Sequence, residues 1–367
     1  MSEIPRQALD EPGEVREEER LDPERLRPFL AEAFPGTSGP VSVLQFRQGH
    51  SNLTYLVRLG EREAVLRRAP FGAQVKTAHD MRREFTILSA LQGAYRRAPR
   101  PIAFCDDESI IGARFYLMER VRGVVLRGDA APPGVELSRG LLRATSTALV
   151  DNLAELHAVD LARAGLGAVG RPEGYVARQV AGWTERYEKA RTDEVGEVEA
   201  VASWLGRHRP PESGVALIHN DYKYDNVVLD PADLTRIVAV LDWEMATVGD
   251  PLMDLGTMLG YWIDPDDPEE MRARPHGPTF RPGSLSRLEI VGRYAERSGR
   301  APGSALFYYA FALFKIAVIV QQIYKRYVEG HTSDPRFASL GAWVRVLGRQ
   351  AARALERERI HGLGAGS

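Results

Sequence analysis

The stretch from Leu217 to Asp254 constrains this chain more than any other: LIHNDYKYDNVVLD, a short spacer, then VAVLDWEMATVGDPLMD. It sets His219, Asp221, Lys223 and Asn226 on one tight loop between two apolar runs. A second β-like run, Ile237–Leu241, then delivers Asp242. Loops between short strands display side chains in fixed geometry, and catalytic groups concentrate there. A single D-x-K-x-x-N string arises easily by chance, whereas two acidic loops at this separation, each after a β-like run, do not. The blander reading has Asp221 capping a turn and Asp242 ending a strand.

At 367 residues the chain exceeds one typical domain, so two lobes are expected. A hydrophobic share of 44% and a charged share of 27% suit a globular protein with a sizeable core. The net charge of −2, with no basic stripe interleaved with aromatics, speaks against a nucleic-acid partner. Cys105 is the only cysteine, which excludes an intramolecular disulfide and a multi-thiolate metal site and suits a reducing cytoplasm. The opening MSEIPRQALDEPGEVREEER lacks the apolar core of a signal peptide. Ala305–Val320 nears transmembrane length, but Lys315 interrupts it and Gln321 and Gln322 follow. Spans need about 20 mostly apolar residues, so the expectation is a buried helix and no membrane span.

Taken in order, residues 1–22 are polar and read as a disordered or frayed lead-in. Asp22-Pro23-Glu24 starts a helix, with Leu26, Leu30 and Phe34 at helical spacing. VSVLQFR, TYLVRL and EAVLRR, separated by Gly49-His50-Ser51-Asn52 and by Gly60-Glu61-Arg62, form a β-meander. Arg67 and Arg68 end its third strand; side chains alternate, so one points into any cleft beneath, and Arg67 is the choice. AHDMRREFTILSAL is an amphipathic helix with Glu84 beside its apolar stripe. Two further strands follow, and Gly123 and Pro132-Pro133-Gly134 mark the passage to a helical second lobe. His157, near a helix end with no metal-spaced partner, reads as a packed or capping residue. The segment 264–284 is an acidic, then basic, Pro- and Gly-rich loop, expected to overhang the cleft or to be a solvated charge run.

The Leu217–Asp254 pattern resembles the catalytic and metal loops of the aminoglycoside phosphotransferase family, the small-molecule branch of the protein-kinase-like fold. The strings QFRQGHSNLTYLV, AVLRRAPFG, AHDMRREF, DWEMATVGDPLMDLG and FALFKIAVIVQQIYKRYVEG are closest to the subgroup that also occurs fused to acyl-CoA dehydrogenases. The resemblance spans roughly residues 25–350. It implies an α+β bilobal fold: a nucleotide-binding small lobe over 23–121, a catalytic and acceptor-binding lobe over 122–350, and a frayed tail over 351–367. It implies a kinase in which Asp221 meets the acceptor hydroxyl, Lys223 offsets phosphoryl charge, and Asn226 and Asp242 hold magnesium. Glu244, by likeness to choline-kinase-type enzymes, joins them. Arg67, paired with Glu84, stands where protein kinases carry lysine; residues 49–52 cover the phosphates; backbone at Glu119 and Val121 pairs with adenine. His219 and Asp254 brace the catalytic loop.

The implied cofactors are ATP and Mg2+. The implied acceptor is a small molecule with a hydroxyl, in this subgroup a hydroxylated acyl chain or its CoA thioester, with a functional link to an acyl-CoA dehydrogenase. Two alternatives stay open at this point. One is an ATP-binding pseudokinase, for which Arg67 and the thin glycine loop speak and against which the Asp221, Asn226 and Asp242 set speaks. The other is a kinase of a small polar alcohol, sugar or aminoglycoside; a polycationic acceptor wants carboxylates, and the run Asp264–Glu270 is the one obvious supply.

Overall fold

The computed structural model describes residues 5–47, 52–71, 80–332 and 334–364. The meander folds as expected. Strands β1 (Val41–Phe46), β2 (Leu53–Leu59) and β3 (Arg62–Arg68) run antiparallel. With β4 (Pro101–Cys105) and β5 (Phe115–Met118) they make a five-stranded sheet ordered β1-β2-β3-β5-β4. Gly60 turns β2 into β3 with φ of 54°, and a Cβ there would meet the Ser38 carbonyl oxygen at 2.4 Å. Only glycine fits that turn.

Alternation along β3 decides what faces where. Leu66 joins Tyr55, Leu59, Phe115 and Leu117 on the outer face, under Leu26 and Leu30 of helix α1 (Pro23–Ala33) and Phe34 just after it. Val65 and Met118 belong instead to the core continuous with α2 (Met81–Leu91) and the large lobe. Arg67, two residues from Val65, therefore shares its inward face. The helix start at α1 is as read: the Asp22 side chain accepts from the Glu24 N–H, and Pro23 needs no donor there.

The large lobe holds α3 (Arg139–His157), α4 (Tyr175–Ala190) and α5 (Gly196–Arg207), followed by the hairpin region β6 (Ala216–Ile218), β7 (Val227–Asp230), β8 (Asp233–Val240) and β9 (Thr247–Gly249). Strand β6 pairs with β9 and β7 with β8. Helices α6 (Pro251–Tyr261), α7 (Glu269–Arg272), α8 (Arg287–Ser298), α9 (Ala305–Val328) and α10 (Leu340–Glu356) complete it. Helix α9 is long and apolar enough to cross a membrane, yet 72% of its most apolar window is buried inside the molecule. Its neighbours α6, α10, α4 and α5 supply that cover. At Gly256 of α6 a Cβ would lie 2.6 Å from the Tyr308 carbonyl oxygen, so α6 and α9 touch backbone to backbone.

Both chain ends correct the sequence reading. Residues 5–22, expected to fray, run along the small lobe: the Asp10 N–H donates to the Gly123 carbonyl at 3.0 Å, and Gly13 pairs with Gln45 as a single β-bridge. The Tyr55 hydroxyl donates to the Glu19 carbonyl at 2.8 Å. The tail beyond residue 350 continues α10 and then buries Ile360 and Leu363 in the main core. Composition hid both, because a polar strap held by backbone bonds carries no apolar period.

Candidate active site

Strand β6 ends where the candidate catalytic loop begins, and the first turn of α6 holds that loop. Asp254 accepts from the backbone N–H of His219 at 2.6 Å and of Asn220 at 2.7 Å. His157 Nε2 lies 3.1 Å from the same carboxylate and its Nδ1 2.7 Å from the Tyr294 hydroxyl. His157 is thus a packed, hydrogen-bonded residue, and Asp254 is the loop's brace. The His219 Nε2 lies 2.9 Å from the Leu241 carbonyl, which ties the catalytic loop to the end of β8. Burial pushes the His219 imidazole pKa down despite Asp254 and Asp221, so it serves as a neutral strut. Asn220 adopts φ of 64°, a left-handed backbone that few non-glycine residues take. Such a conformation persists only where its surroundings fix it.

Asp221 follows, and three side chains donate to its carboxylate. Lys223 Nζ reaches its two oxygens at 2.7 and 2.6 Å, Asn226 Nδ2 donates at 2.8 Å, and the Tyr261 hydroxyl donates at 2.7 Å. Burial alone would raise this carboxyl; Lys223, with Tyr261 and His219, outweighs it and brings it down to about 2. The Lys223 ammonium, which burial would lower, is raised instead by Asp221 and sits 4.4 Å from the centre of the Tyr261 ring.

Sequence reasoning missed Tyr261. The signal was available: it lies seven residues, two helical turns, after Asp254, so both project from the α6 face that meets the catalytic loop. Tyr261→Phe removes one donor to a charged acceptor, a bond typically worth about 1.5–3 kcal/mol. The expected result is a kcat lower by about 10- to 100-fold at unchanged KM for ATP, with the acidic limb of kcat moved to higher pH because Asp221 loses a stabilising donor. A kcat equal to wild type would show that this bond does not aim the carboxylate.

The second acidic loop lies alongside, joined by the Leu241 N–H donating to the Asn226 carbonyl at 2.8 Å. Asp242 has φ of 65°. Its Oδ1 is 2.7 Å from Arg67 NH2, while Arg67 Nε is 3.3 Å from Glu84 Oε1 and Arg67 NH2 is 3.8 Å from Glu244. Arg67 therefore faces the cleft, as alternation required, while Arg68 faces outward and donates to the carbonyls of Ala69 and Ile111. Gly49, His50 and Ser51 lie outside the described residues. Asn52, expected in the phosphate-covering turn, is buried and donates to Glu244 Oε2 at 2.6 Å, joining the small lobe to the second acidic loop.

Between the lobes lies a cavity of about 430 Å³, a size suited to a small ligand. Val65, Met118, Val228 and Leu241 give it an apolar slot, with Arg67 and Asp242 at its polar end. Glu119 and Val121 line it. The Glu119 N–H donates to the Arg100 carbonyl at 2.8 Å, so the carbonyl is the Glu119 backbone group left for a base edge. Asp10 of the N-terminal strap also reaches the cavity, held by Arg127 at 2.9 and 3.1 Å.

The 264–284 segment contributes Pro275 and His276 to the cavity wall, and His276 Nδ1 lies 3.0 Å from Asp225. None of its acidic residues lines the cavity. Asp264 and Asp267 are buried against Arg287 at 3.4 and 2.6 Å, and Glu270 pairs with Arg349 at 2.7 Å.

Among the described residues no group of three His, Cys, Asp or Glu side chains forms a self-sufficient metal centre. Asn226, Asp242 and Glu244 offer oxygen donors only, from one amide and two carboxylates. That donor set fits magnesium, which takes few protein oxygens and completes its shell with waters and phosphate oxygens.

A five-stranded small lobe hinged to a helical lobe, with these two acidic loops facing the cleft, defines a protein-kinase-like phosphotransferase acting on a hydroxyl acceptor. The family model of the phosphotransferase enzyme family, APH, matches residues 42–288, and the chain belongs to that family. It is 37% identical over 300 residues to acyl-CoA dehydrogenase family member 10 of Mus musculus, covering 81% of this chain and 28% of that protein. It is 33% identical over 362 residues to family member 11 of Gallus gallus, covering 95% of this chain and 45% of that protein. The chain thus spans less than half the length of these relatives. Among solved structures, one from Ralstonia eutropha, provisionally an aminoglycoside phosphotransferase, is 32% identical with a TM-score of 0.76, covering 92% of this chain and 99% of that one.

Proposed function

We propose that this small-molecule kinase transfers the γ-phosphoryl group of Mg-ATP to a hydroxyl on an acyl chain, as the free hydroxy acid or its CoA thioester. Enzymes of this family draw the group from ATP. The observation that carries the reading is the convergence of Asp221, Lys223 and Asn226 on one loop with Asp242 on the loop bonded to it.

Asn226, Asp242 and Glu244 would hold magnesium, which when bound neutralises phosphate charge. Arg67, fixed by Glu84, presents a permanent cation to the phosphates. The apolar slot and the backbone at Glu119 and Val121 take the base. Asp221 accepts a hydrogen bond from the acceptor hydroxyl and orients its oxygen toward the γ-phosphorus. With a pKa of about 2 this carboxylate is a weak base, so the proton passes to it late, as the new O–P bond forms and the bond to ADP breaks. Lys223, already against Asp221, stands ready to offset charge on the moving phosphoryl group.

Two observations support an acyl rather than a polycationic acceptor. The relatives are named as acyl-CoA dehydrogenase family members, and none of the carboxylates that an aminoglycoside would need from the 264–270 run lines the cavity. The same relatives support a functional link to an acyl-CoA dehydrogenase, and the lone Cys105 supports a cytoplasmic setting. Competition between hydroxyacyl-CoAs, free hydroxy acids, small alcohols and aminoglycosides for ATP-dependent phosphorylation tests the acceptor. A kcat/KM highest on an aminoglycoside would overturn the acyl assignment.

A further inference from the structure

Lys315 is the charged residue that interrupts the apolar run of α9, the longest described helix, and nothing in the transfer described above uses it. It is buried in the middle of α9. Its Nζ donates to the Asn220 carbonyl oxygen at 2.7 Å and lies 5.9 Å from the centre of the Trp183 ring of α4. An ammonium in such a place is costly unless it is paired and hydrogen-bonded.

The carbonyl it holds belongs to the peptide that joins Asn220 to Asp221. The other end of that peptide is held as well, since the Asp221 N–H donates to His219 Nδ1 at 3.3 Å. The remaining groups of Asn220 are fixed too: its N–H by Asp254, and its side chain by Tyr175 and Met245. A rotation of the Asn220–Asp221 peptide would release the left-handed backbone at Asn220 and swing the Asp221 carboxylate. Lys315 is the cation that opposes this rotation from the carbonyl side.

We propose that Lys315 is a positioning residue: by holding the Asn220 carbonyl it fixes the Asn220–Asp221 peptide and aims the Asp221 carboxylate at the acceptor hydroxyl. The kinetic side rests on the proposed kinase reading, while the structural side stands apart from it. The charged groups facing Lys315 are Asp221 and Lys223 on the catalytic loop, Asp254 on α6 and Arg186 on α4. Burial lowers the ammonium, and Asp221 and Asp254 only partly restore it, leaving it at about 8. The charge that strengthens the bond to Asn220 is therefore lost just above neutral pH.

The test uses the full chain as wild type, Lys315→Met and Lys315→Arg. Lys315→Met is expected to lower kcat about 100-fold with KM for ATP unchanged, since a displacement of about 1 Å in a reacting group costs that much. Wild-type kcat is expected to fall as pH rises through 8, and Lys315→Arg to recover part of the rate and extend it to higher pH. Amide exchange of residues 219–223, read without acceptor at pH 6.5, is expected to quicken in Lys315→Met. Wild-type exchange rates there in a folded Lys315→Met protein overturn the proposal whatever the enzyme turns over. Absence of wild-type turnover on every hydroxyl acceptor would instead sink the kinase reading, and the exchange result alone would then judge Lys315. Should Lys315→Met fail to fold, Lys315→Gln, uncharged and shorter, takes its place, and wild-type exchange rates at residues 219–223 in that variant overturn the proposal.

Discussion

Asp242→Ala is expected to abolish measurable turnover while the protein stays folded. The side chain stands at the polar end of the cleft, bonded to Arg67, on a loop tied to Asn226. Removing a single preorganised charge-stabilising group typically costs about 10²–10³ in kcat. If Asp242 holds metal as proposed, its removal costs at least that, because the phosphates lose their alignment as well as their neutralisation. Alanine tolerates the left-handed backbone of residue 242 less well than aspartate, so Asp242→Asn belongs beside it: asparagine keeps the conformation and size and loses only the charge. Equal losses in both variants, with unchanged thermal unfolding, assign the effect to the carboxylate. Near-normal kcat in Asp242→Asn would remove Asp242 from the metal site.

Arg287→Met is expected to destabilise the large lobe by about 3–5 kcal/mol, the usual result of leaving buried carboxylates without their cation. Arg287 is fully buried, bonds Asp267 through two nitrogens at 2.6 Å each, lies 3.4 Å from Asp264, and donates to the Trp262 carbonyl at 2.8 Å. It also donates to the Ile360 carbonyl, so one guanidinium joins the end of α6, the following loop, α8 and the C-terminal tail. The loss should shrink in mild acid. Burial raises the Asp264 carboxyl to about 6 even with Arg287 present. In the unfolded chain it titrates near 4, so between about pH 4 and 6 the folded state binds more protons and stability rises as pH falls through 6. Without Arg287 this gain extends to higher pH. Urea unfolding at about pH 7.5 and 5.5 measures both quantities. A loss below about 1 kcal/mol at pH 7.5 would mean that the cluster is hydrated in solution.

The parts of the molecule legible in the sequence are those set by local period or local spacing. Alternation placed Arg67 inward and Arg68 outward, and the spacing of Asp221, Lys223, Asn226 and Asp242 placed them on two loops that the fold ties together. His157 read correctly as a packed residue because it lacked metal-spaced partners. What stayed hidden depends on contacts between distant segments. Tyr261 touches Asp221 from 40 residues away, and Lys315 touches Asn220 from 95. The Lys315 contact leaves no local pattern, and the Tyr261 contact shows only through its two-turn spacing from Asp254. The acidic run 264–270 looked like a solvated or acceptor-binding surface because the partner of Asp264 and Asp267 comes from α8. The N-terminal strap looked disordered because polar composition reports missing apolar burial, and this strap is held by backbone bonds and the Asp10–Arg127 and Glu11–Arg120 pairs.

The most direct measurement is ADP production from Mg-ATP by wild type and Asp221→Ala across a panel of hydroxyacyl-CoAs, free hydroxy acids, aminoglycosides and small alcohols. Asp221 is the group every step of the proposed transfer passes through, and its donors are all in place. Wild type is expected to release ADP in an acceptor-dependent manner, fastest with a hydroxyacyl substrate. In Asp221→Ala it should fall by about 10²–10⁴, the usual worth of a general base. Tight Mg-ATP binding without turnover on any acceptor, or turnover that survives the loss of Asp221, would contradict it.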